Sequence, residues 1–438
     1  VGQPTHTYVE RESGSFENKL KANILSEGNV CLLTGPSKTG KTTLYNKVLK
    51  DLEYEPLLVR CDEEISASEF WRKILEKVNF SRVSSKEKST GTSSSGSAKV
   101  GVEFGWKWLS KILGEVNFGI TKEKSETEVR ELILASPSPE HLIPILKEVN
   151  YFLVVEDFHY LKPSVQKIIF QQWKVFVDNE ISVLVVGTAH HAVDIAFANK
   201  DLTGRISHLE VGMWNEPDLM KIVEKGFSYM NQPIKQDLKR MIAKESVGLP
   251  IITQSLGYQI FVDKGISTTD QIRKLEVTKA DIQTSLYNVA IEKYGQYQPF
   301  YNILAKGLKN KLNKHNTYNL VLLIFTIDPP VFSLSRQEID ERIEKIVKDK
   351  QSLPPAPSLN NTLQNLLKLQ QSKNILLLEW SRIQDRLYIL EPAFLFYIRW
   401  KDKKSTTTFR ELLDKLLESF DLSNTIDLSK YYETLKRD

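Results

Sequence analysis

The apolar residues of the first 211 positions fall into short continuous runs that alternate with stretches of helical spacing. Continuous runs of roughly four to eight apolar residues are typical of strands buried on both faces of a sheet. Apolar residues three and four positions apart mark one face of a helix. The alternation therefore predicts an α/β fold with a parallel sheet between two layers of helices. The predicted strands are 29–34, 56–61, 151–157, 183–188 and 206–211.

Helical spacing replaces the strand pattern from residue 216 onward. It is interrupted once at Gly248-Leu249-Pro250, and a proline is well suited to begin the helix that follows. Nearer the C-terminus, two apolar runs around a short turn at 375–390 predict a β-hairpin. Helices followed by such a hairpin have the order of a winged helix, which we predict at 331–401.

These patterns predict a chain of six segments, consistent with two or three domains for 438 residues. They are an N-terminal segment at 1–27, a core with the predicted parallel sheet at 28–213, a helical lid at 214–264, a helical domain at 265–330, the winged helix at 331–401 and a C-terminal helix or tail at 402–438.

One insertion, at 81–126, interrupts the predicted core. Residues 81–97 are rich in Ser, Thr, Lys and Gly and predict a flexible loop. Alternating apolar residues then predict a hairpin at 100–120 with an aromatic face that includes Trp106 and Trp108. A hairpin is marginal alone, so this face packs on its own domain, contacts a subunit or protein partner, or stacks on nucleic-acid bases. We favour contact with protein, because exposed aromatic patches usually mark interfaces.

Composition adds few constraints. The apolar content of 41% and charged content of 26% are typical of a soluble globular protein, and a net charge of +4 does not by itself indicate nucleic acid. Cys31 and Cys61 fall in or beside predicted strands without metal-ligand spacing, so we expect buried thiols in a reducing, cytoplasmic compartment. We expect neither a signal peptide nor a membrane-spanning helix.

The first chemical motif lies between the strand at 29–34 and a helical run at 43–49. It fits G-x-x-x-x-G-K-[ST], the phosphate-binding loop of nucleotide hydrolases. The glycines let backbone N–H groups face a phosphate chain, the lysine reaches the β- and γ-phosphates, and the hydroxyl that follows ligates Mg²⁺. The predicted nucleotide contacts are Gly35, Pro36, Ser37, Lys38, Thr39, Gly40, Lys41, Thr42 and Thr43.

A second motif ends the apolar run at 151–157 with two carboxylates, Glu156 and Asp157. In nucleotide hydrolases one carboxylate at this place holds hydrated Mg²⁺, and its neighbour orients or deprotonates the attacking water. Aspartate usually comes first in this pair, whereas here glutamate does. Which residue is the metal ligand and which the base therefore stays open, and we favour Glu156, with Thr42, for Mg²⁺.

Two further polar residues adjoin predicted core strands. Thr188 ends the strand at 183–188, which we expect between the two motif strands. It either faces the γ-phosphate or the attacking water, or caps the next helix. Arg205 precedes the strand at 206–211 and is either an arginine finger for a neighbouring subunit or a surface residue at the sheet edge. We interpret His190 and His191 as loop or helix-start residues, without a metal role.

Residues 7–11, Thr-Tyr-Val-Glu-Arg, precede the first core strand. Segments of this kind are common before the core of nucleotide-switch ATPases, where they pack near the adenine. Here the alternative is an edge strand followed by a structural helix, and the sequence leaves both interpretations open.

The motifs together resemble the AAA+ superclass, and within it the STAND and archaeal-type AAA ATPases. The residues that carry the resemblance are the loop at 35–42, Val154-Val155-Glu156-Asp157-Phe158-His159, Gly204-Arg205 and Gly248-Leu249-Pro250. The resemblance covers about 5–265 and, loosely, the predicted winged helix. It implies an α/β, three-layer P-loop NTPase sheet of the additional-strand type, followed by a helical lid and a winged-helix domain. It also implies that Pro250 contacts bound nucleotide.

The resemblance further implies a slow ATPase that uses ATP, ADP and Mg²⁺ as a switch, closed with ADP and open and oligomeric with ATP. Many relatives act in signalling and immunity, including defence against phage, with protein partners or effectors. One alternative is a DNA-binding loader or regulator of transposition or replication. The basic residues available for it are Lys306, Lys309, Lys311, Lys314, Arg382 and Arg386. A second alternative, a scaffold that only holds nucleotide, is disfavoured by the intact loop lysine and the paired carboxylates.

Overall fold

The structure is a computed structural model that describes residues 5–78, 131, 133–187, 202, 204–266, 274–307, 316–347, 352–373 and 375–402. The described chain forms two compact units. The first contains Glu10–Gly35 and Lys41–Val211, and the second contains Thr5–Val9, Pro36–Gly40 and the chain from Gly212.

The first unit is built on a parallel sheet of five strands in the order β2-β3-β4-β1-β5. All five predicted strands are present, and β4 lies between the strands that precede the two motifs, as expected. Parallel strands end at the same edge of a sheet, so the residues that follow β1 and β3 lie close together. The strands are β1 (Val30–Thr34), β2 (Glu55–Arg60), β3 (Tyr151–Glu156), β4 (Val183–Val186) and β5 (Ile206–Glu210).

Helices cover both faces of this sheet. Along β1, Val30 and Leu32 pack in one apolar cluster, whereas Cys31 and Leu33 pack in another. The alternation follows from the two-residue period of a strand and explains why the strand is apolar throughout. The helices of the Cys31 face are α1 (Ser15–Leu25) and α2 (Lys41–Asp51), and those of the Val30 face are α3 (Ala67–Lys77), α4 (Ile143–Glu148) and α5 (Pro163–Asp178).

The second unit is mainly helical and shares one large apolar cluster. Its helices are α6 (Glu216–Tyr229), α7 (Gln236–Glu245), α8 (Pro250–Asp263), α9 (Lys279–Tyr294), α10 (Gln298–Lys306), α11 (Thr317–Thr326), α12 (Arg336–Ile346), α13 (Ala356–Gln371) and α14 (Pro392–Trp400). The predicted hairpin is formed by β7 (Leu378–Ser381) and β8 (Arg386–Ile389). A third strand that the sequence analysis missed, β6 (Ser333–Ser335), pairs antiparallel with β8.

Some expectations fall outside the described residues. They include the loop and hairpin of the 81–126 insertion and nearly all of the C-terminal tail. In the described ranges, none of the helices combines the length and apolar character that a membrane span needs.

Candidate functional site

The phosphate loop begins directly after β1 at Gly35, whose φ of 144° is outside the region that other residues favour. A methyl group on Gly35 would lie 2.2 Å from the carbonyl oxygen of Val211, so only glycine fits. Lys41 begins α2, is buried, and donates from Nζ to the carbonyl oxygen of Gly35 at 2.8 Å. A lysine at a helix N-terminus is suited to bind phosphate, because the helix end adds partial positive charge to that of the side chain.

The carboxylate of Glu156 lies beside Thr42, the next residue of the loop. Thr42 Oγ1 donates to Glu156 Oε1 at 3.1 Å, although the two residues are 114 positions apart. Tyr45 donates its hydroxyl to the same Oε1 at 2.9 Å, and Arg60 donates from Nε to Oε2 at 3.0 Å. The contact from Thr42 brings together the two residues that the sequence analysis proposes for Mg²⁺.

The contacts of Glu156 also change the acidities of its neighbours. Burial, and then the negative charge of Glu156, raise the pKa of the Tyr45 hydroxyl. The hydrogen bond to Glu156 raises the pKa of Arg60. Both donors therefore keep their protons and stay available to the carboxylate.

Asp157 follows the strand end in a left-handed conformation, with φ 60° and ψ 26°. Its backbone N–H donates to the carbonyl oxygen of Val186 at 3.1 Å, which places it at the ends of β3 and β4. Burial, and then the charge of Glu156, raise the pKa of Asp157, whereas Arg60 and Lys41 lower it. A half-buried carboxylate with a raised pKa is better suited to accept a proton than one of ordinary acidity.

The remaining loop residues, Pro36–Gly40, make their contacts within the second unit. Thr39 is buried and donates from Oγ1 to the carbonyl oxygen of Pro36 at 2.9 Å, which folds the loop back on itself. Trp214 donates from Nε1 to the carbonyl oxygen of Thr39 at 2.8 Å. A methyl group on Gly40, which has a φ of 96°, would lie 3.7 Å from the Trp214 ring and 4.0 Å from Pro250. Pro250, the predicted nucleotide contact, therefore lies beside the loop.

Lys38, in the same part of the loop, contacts Tyr297 and Glu391 of the second unit. Its Nζ lies 2.9 Å from Glu391 Oε2 and 3.3 Å from the hydroxyl of Tyr297. The Tyr297 hydroxyl also donates to Glu391 Oε2 at 3.1 Å, and the Ser37 N–H donates to the carbonyl oxygen of Leu390 at 3.4 Å. The loop is therefore bonded to the residues that immediately precede α14.

The N-terminal residues Thr5–Val9 also belong to the second unit. Gln254 of α8 donates from Nε2 to Thr7 Oγ1 at 2.8 Å, and Lys225 of α6 donates to the carbonyl oxygen of Tyr8 at 2.6 Å. The described residues of this segment contain no strand, so the edge-strand interpretation is wrong. The segment packs on α6 and α8, and its contact with nucleotide stays a prediction.

Arg205 lies at the start of β5, where its carbonyl oxygen accepts from the N–H of Val30 at 2.8 Å. Val30 begins β1, whereas the phosphate loop follows the other end of that strand. The Arg205 side chain is exposed and donates to the carbonyl oxygen of Glu27 at 3.3 Å. Arg205 therefore lies at the N-terminal ends of the strands, whereas the loop of its own chain lies at their C-terminal ends. A role of Arg205 toward another subunit stays a prediction.

Three other predicted residues, Thr188, His190 and His191, lie outside the described part of the chain. Among the basic residues considered for DNA, Arg386 bonds Ser333 Oγ at 3.0 Å and lies 3.5 Å from Glu338, whereas Arg382 and Lys306 are exposed.

The donor atoms beside the loop fit Mg²⁺. Thr42 and Glu156 supply a hydroxyl and a carboxylate oxygen, which are ligands that Mg²⁺ prefers. Among the described residues, no three His, Cys, Asp or Glu side chains form a group that could hold a metal. Mg²⁺ is usually held by one or two protein ligands together with phosphate oxygens and water.

Five residues that contact the phosphate loop or Glu156 were not identified from the sequence: Trp214, Tyr45, Arg60, Tyr297 and Glu391. Tyr45 had a local signal, because it lies three residues after Thr42 and hence on the same helix face. Arg60 had a weaker one, as the penultimate residue of the strand predicted at 56–61, and the strand order that sets it opposite Glu156 came from the structure. The other three residues meet the loop only through the tertiary fold.

Comparison with known proteins gives one family match, to the AAA domain over residues 24–195. No curated protein matches the chain. Solved structures that resemble it include a Walker-type ATPase of Pyrococcus abyssi, with 14% identity, 90% of this chain and 99% of that chain covered, and a TM-score of 0.49. They also include the RuvB Holliday junction branch migration motor of Thermotoga maritima, with 13% identity, 89% and 97% coverage, and a TM-score of 0.38.

The region matched to the AAA domain contains the chain from β1 to β4, and with it the phosphate loop and the carboxylate pair. It supports a nucleotide-binding ATPase of the P-loop AAA class at the level of the family.

Proposed function

We propose that this chain binds and hydrolyses ATP with Mg²⁺ and works as a molecular switch, in which the ATP or ADP state controls oligomerisation or engagement of a partner. The observation that carries the ATPase is the hydrogen bond from Thr42 to Glu156, next to the buried Lys41. It brings a hydroxyl and a carboxylate together beside a buried lysine, and this grouping supports the assignment of phosphate and Mg²⁺ contacts to these residues. In this proposal Glu156 holds Mg²⁺ with Thr42, and Asp157 is the base.

Hydrolysis on this site needs little covalent chemistry from the protein. Lys41 and the loop N–H groups bind the phosphates, and bound Mg²⁺ supplies charge compensation for the transferred phosphoryl group. Asp157 orients the attacking water and accepts its proton. Arg205 of a neighbouring subunit stabilises the charge that develops on the γ-phosphate, and we assign Thr188, from the sequence alone, to the same group.

The switch is supported by the contacts of the loop with the C-terminal residues. Lys38 and Ser37 bond Glu391 and Leu390, which lie just before α14. The same lysine charge that is paired with Glu391 could otherwise attract a phosphate. Nucleotide and Glu391 therefore compete for Lys38. Binding of nucleotide at the loop would release Glu391 and so affect the residues just before α14.

The finer architecture belongs to the same proposal. We assign α6–α8 to a helical lid that presents Pro250 to the nucleotide, and the β6-β8-β7 sheet with α12–α14 to a winged helix. This is the order of a STAND-type switch. We place the protein in the cytoplasm, in signalling or defence against phage, on the sequence resemblance alone.

A mass measurement tests the switch. We expect the chain to form a larger oligomer with a non-hydrolysable ATP analogue than with ADP, and Lys41→Ala to abolish the difference. Equal masses in both nucleotides would contradict nucleotide control of oligomerisation while leaving the ATPase intact.

A DNA-binding ATPase has less support. Arg386, one of the two hairpin arginines considered for DNA, bonds Ser333 and lies beside Glu338. DNA binding that weakens steeply with salt and is lost in Arg382→Ala would favour the alternative.

A further inference from the structure

The carboxylate of Glu156 is held by more donors than the two nucleotide motifs supply. Thr42 and Tyr45 donate to Oε1, and Arg60 donates to Oε2. The three donors come from the first turn of α2, the second turn of α2 and the end of β2. Only Thr42 belongs to a motif, so Tyr45 and Arg60 need a separate explanation.

Glutamate at this position explains the need for additional donors. Its side chain has one methylene group more than the aspartate that usually comes first in the pair. The additional torsion gives the carboxylate more orientations, and fixing it costs more side-chain entropy. A metal ligand whose outer contacts are missing binds less well, because the free ligand spends less time in the binding orientation.

The fold places Tyr45 and Arg60 where they limit those orientations. Tyr45 follows Thr42 by three residues, so both hydroxyls lie on the same helix face and converge on Oε1. Arg60 is directly opposite Glu156 in the parallel pair of β2 and β3. Its side chain is 68% exposed and Glu156 only 9%, so the guanidinium approaches from the solvent side and holds Oε2 there.

We infer that Tyr45 is a positioning residue for the metal site: it keeps Glu156 Oε1 turned toward Thr42, while Arg60 holds the other oxygen. The inference rests on the proposed function, in which Thr42 and Glu156 bind Mg²⁺. It assigns to Tyr45 an effect on Mg²⁺ affinity without direct contact with nucleotide or metal.

Titration of ADP by calorimetry, at a series of Mg²⁺ concentrations, tests the inference without measuring turnover. Tyr45→Phe removes one oxygen atom and keeps the buried ring. We expect this variant to need about tenfold more Mg²⁺ than wild type for half of the Mg²⁺-dependent gain in ADP affinity. ADP affinity in a chelator should be unchanged. The matched control is Tyr54→Phe, the same change at a ring that packs on Phe152, and it should behave as wild type.

A purely structural role predicts another result. Tyr45→Phe would then lower the melting temperature and weaken ADP binding equally with and without Mg²⁺, and this would overturn the inference. An unchanged Mg²⁺ requirement would overturn it as well, while Mg²⁺-dependent ADP binding by wild type would leave the proposed function intact. Absence of ADP binding by wild type would instead overturn the proposed function and the inference with it.

Glu156→Asp provides a second, independent measurement. The shorter carboxylate should no longer reach the Tyr45 hydroxyl, so adding Tyr45→Phe should leave its Mg²⁺ requirement unchanged. A full tenfold effect of Tyr45→Phe in the Glu156→Asp background would show that Tyr45 does not act through Glu156, and the inference would be wrong.

Discussion

Lys38 and Glu391 form an ion pair of 2.9 Å across 353 residues of sequence. Their side chains are 33% and 28% exposed, so solvent screens the pair, and such pairs contribute about 0.2–1 kcal/mol. An interaction of this size can be broken by a competing phosphate group. The pair is therefore suited to a reversible contact and not to a permanent support of the fold.

Glu391→Gln tests whether this ion pair competes with nucleotide. The substitution frees the Lys38 charge, and we expect ATP affinity to rise by about 1.4- to fivefold, the equivalent of one exposed ion pair. Calorimetric titration measures the change. The control is Glu344→Gln, an equal loss of charge at an exposed position of α12. Unchanged or weaker ATP binding in Glu391→Gln would show that the ion pair does not oppose nucleotide.

Trp214 supports the loop through one hydrogen bond to the carbonyl oxygen of Thr39. Trp214→Phe removes that donor and keeps an aromatic ring. Because a net hydrogen bond contributes about 1 kcal/mol, we expect ATP affinity to fall by roughly fivefold, with little change in melting temperature. Trp380→Phe, at a partly buried position of β7, is the control. Equal affinities of the two variants would remove Trp214 from the nucleotide site.

The roles of the two carboxylates can be separated by two substitutions. Asp157→Asn should bind ATP normally and lower turnover by about 100-fold or more, because it removes a general base. Glu156→Gln should make nucleotide binding less dependent on Mg²⁺. Calorimetry with and without Mg²⁺, together with phosphate release, distinguishes them. The opposite pattern would exchange the two roles, and wild-type behaviour of both variants would reject the motif.

Arg205 is predicted to act on the nucleotide of a neighbouring subunit. Arg205→Ala and Lys41→Ala should each be inactive alone, and mixing them should restore part of the phosphate release, because each supplies what the other lacks. Arg72→Ala, at an exposed arginine of α3, should stay active without mixing. Absence of rescue in demonstrated mixed oligomers would leave Arg205 with a structural role at the sheet edge.

The sheet could be predicted from the sequence because buried parallel strands are apolar throughout, and β1 and β3 are continuous apolar runs next to recognisable motifs. The strand β6 could not, because it has three residues and two of them, Ser333 and Ser335, are serines. Periodicity has no signal at that length. The strand exists because β8 offers it a partner.

The residues of the site that belong to short sequence motifs were predicted, whereas those that reach it only through the tertiary fold were missed. The loop, Glu156 and Asp157 follow from spacing beside a strand, which is local information. The bonds of Trp214 to Thr39 and of Lys38 to Glu391 join residues 175 and 353 positions apart. No local sequence pattern identifies partners that are so far apart in the sequence. The contact of Lys38 with Glu391 could therefore be found only from the structure.

Binding of ATP with Mg²⁺ by wild type and Lys41→Ala is the most direct test of the proposed nucleotide site. Lys47→Ala, at a partly buried lysine of the same helix that pairs with Asp51, controls for loss of charge, and melting curves confirm that all three proteins are folded. We expect wild type and Lys47→Ala to bind one ATP and release phosphate. In Lys41→Ala, affinity should fall about 10- to 100-fold, because a charged hydrogen bond to phosphate is lost, and turnover should disappear. Wild-type affinity and turnover in a folded Lys41→Ala protein would contradict the assignment of this loop as the nucleotide site.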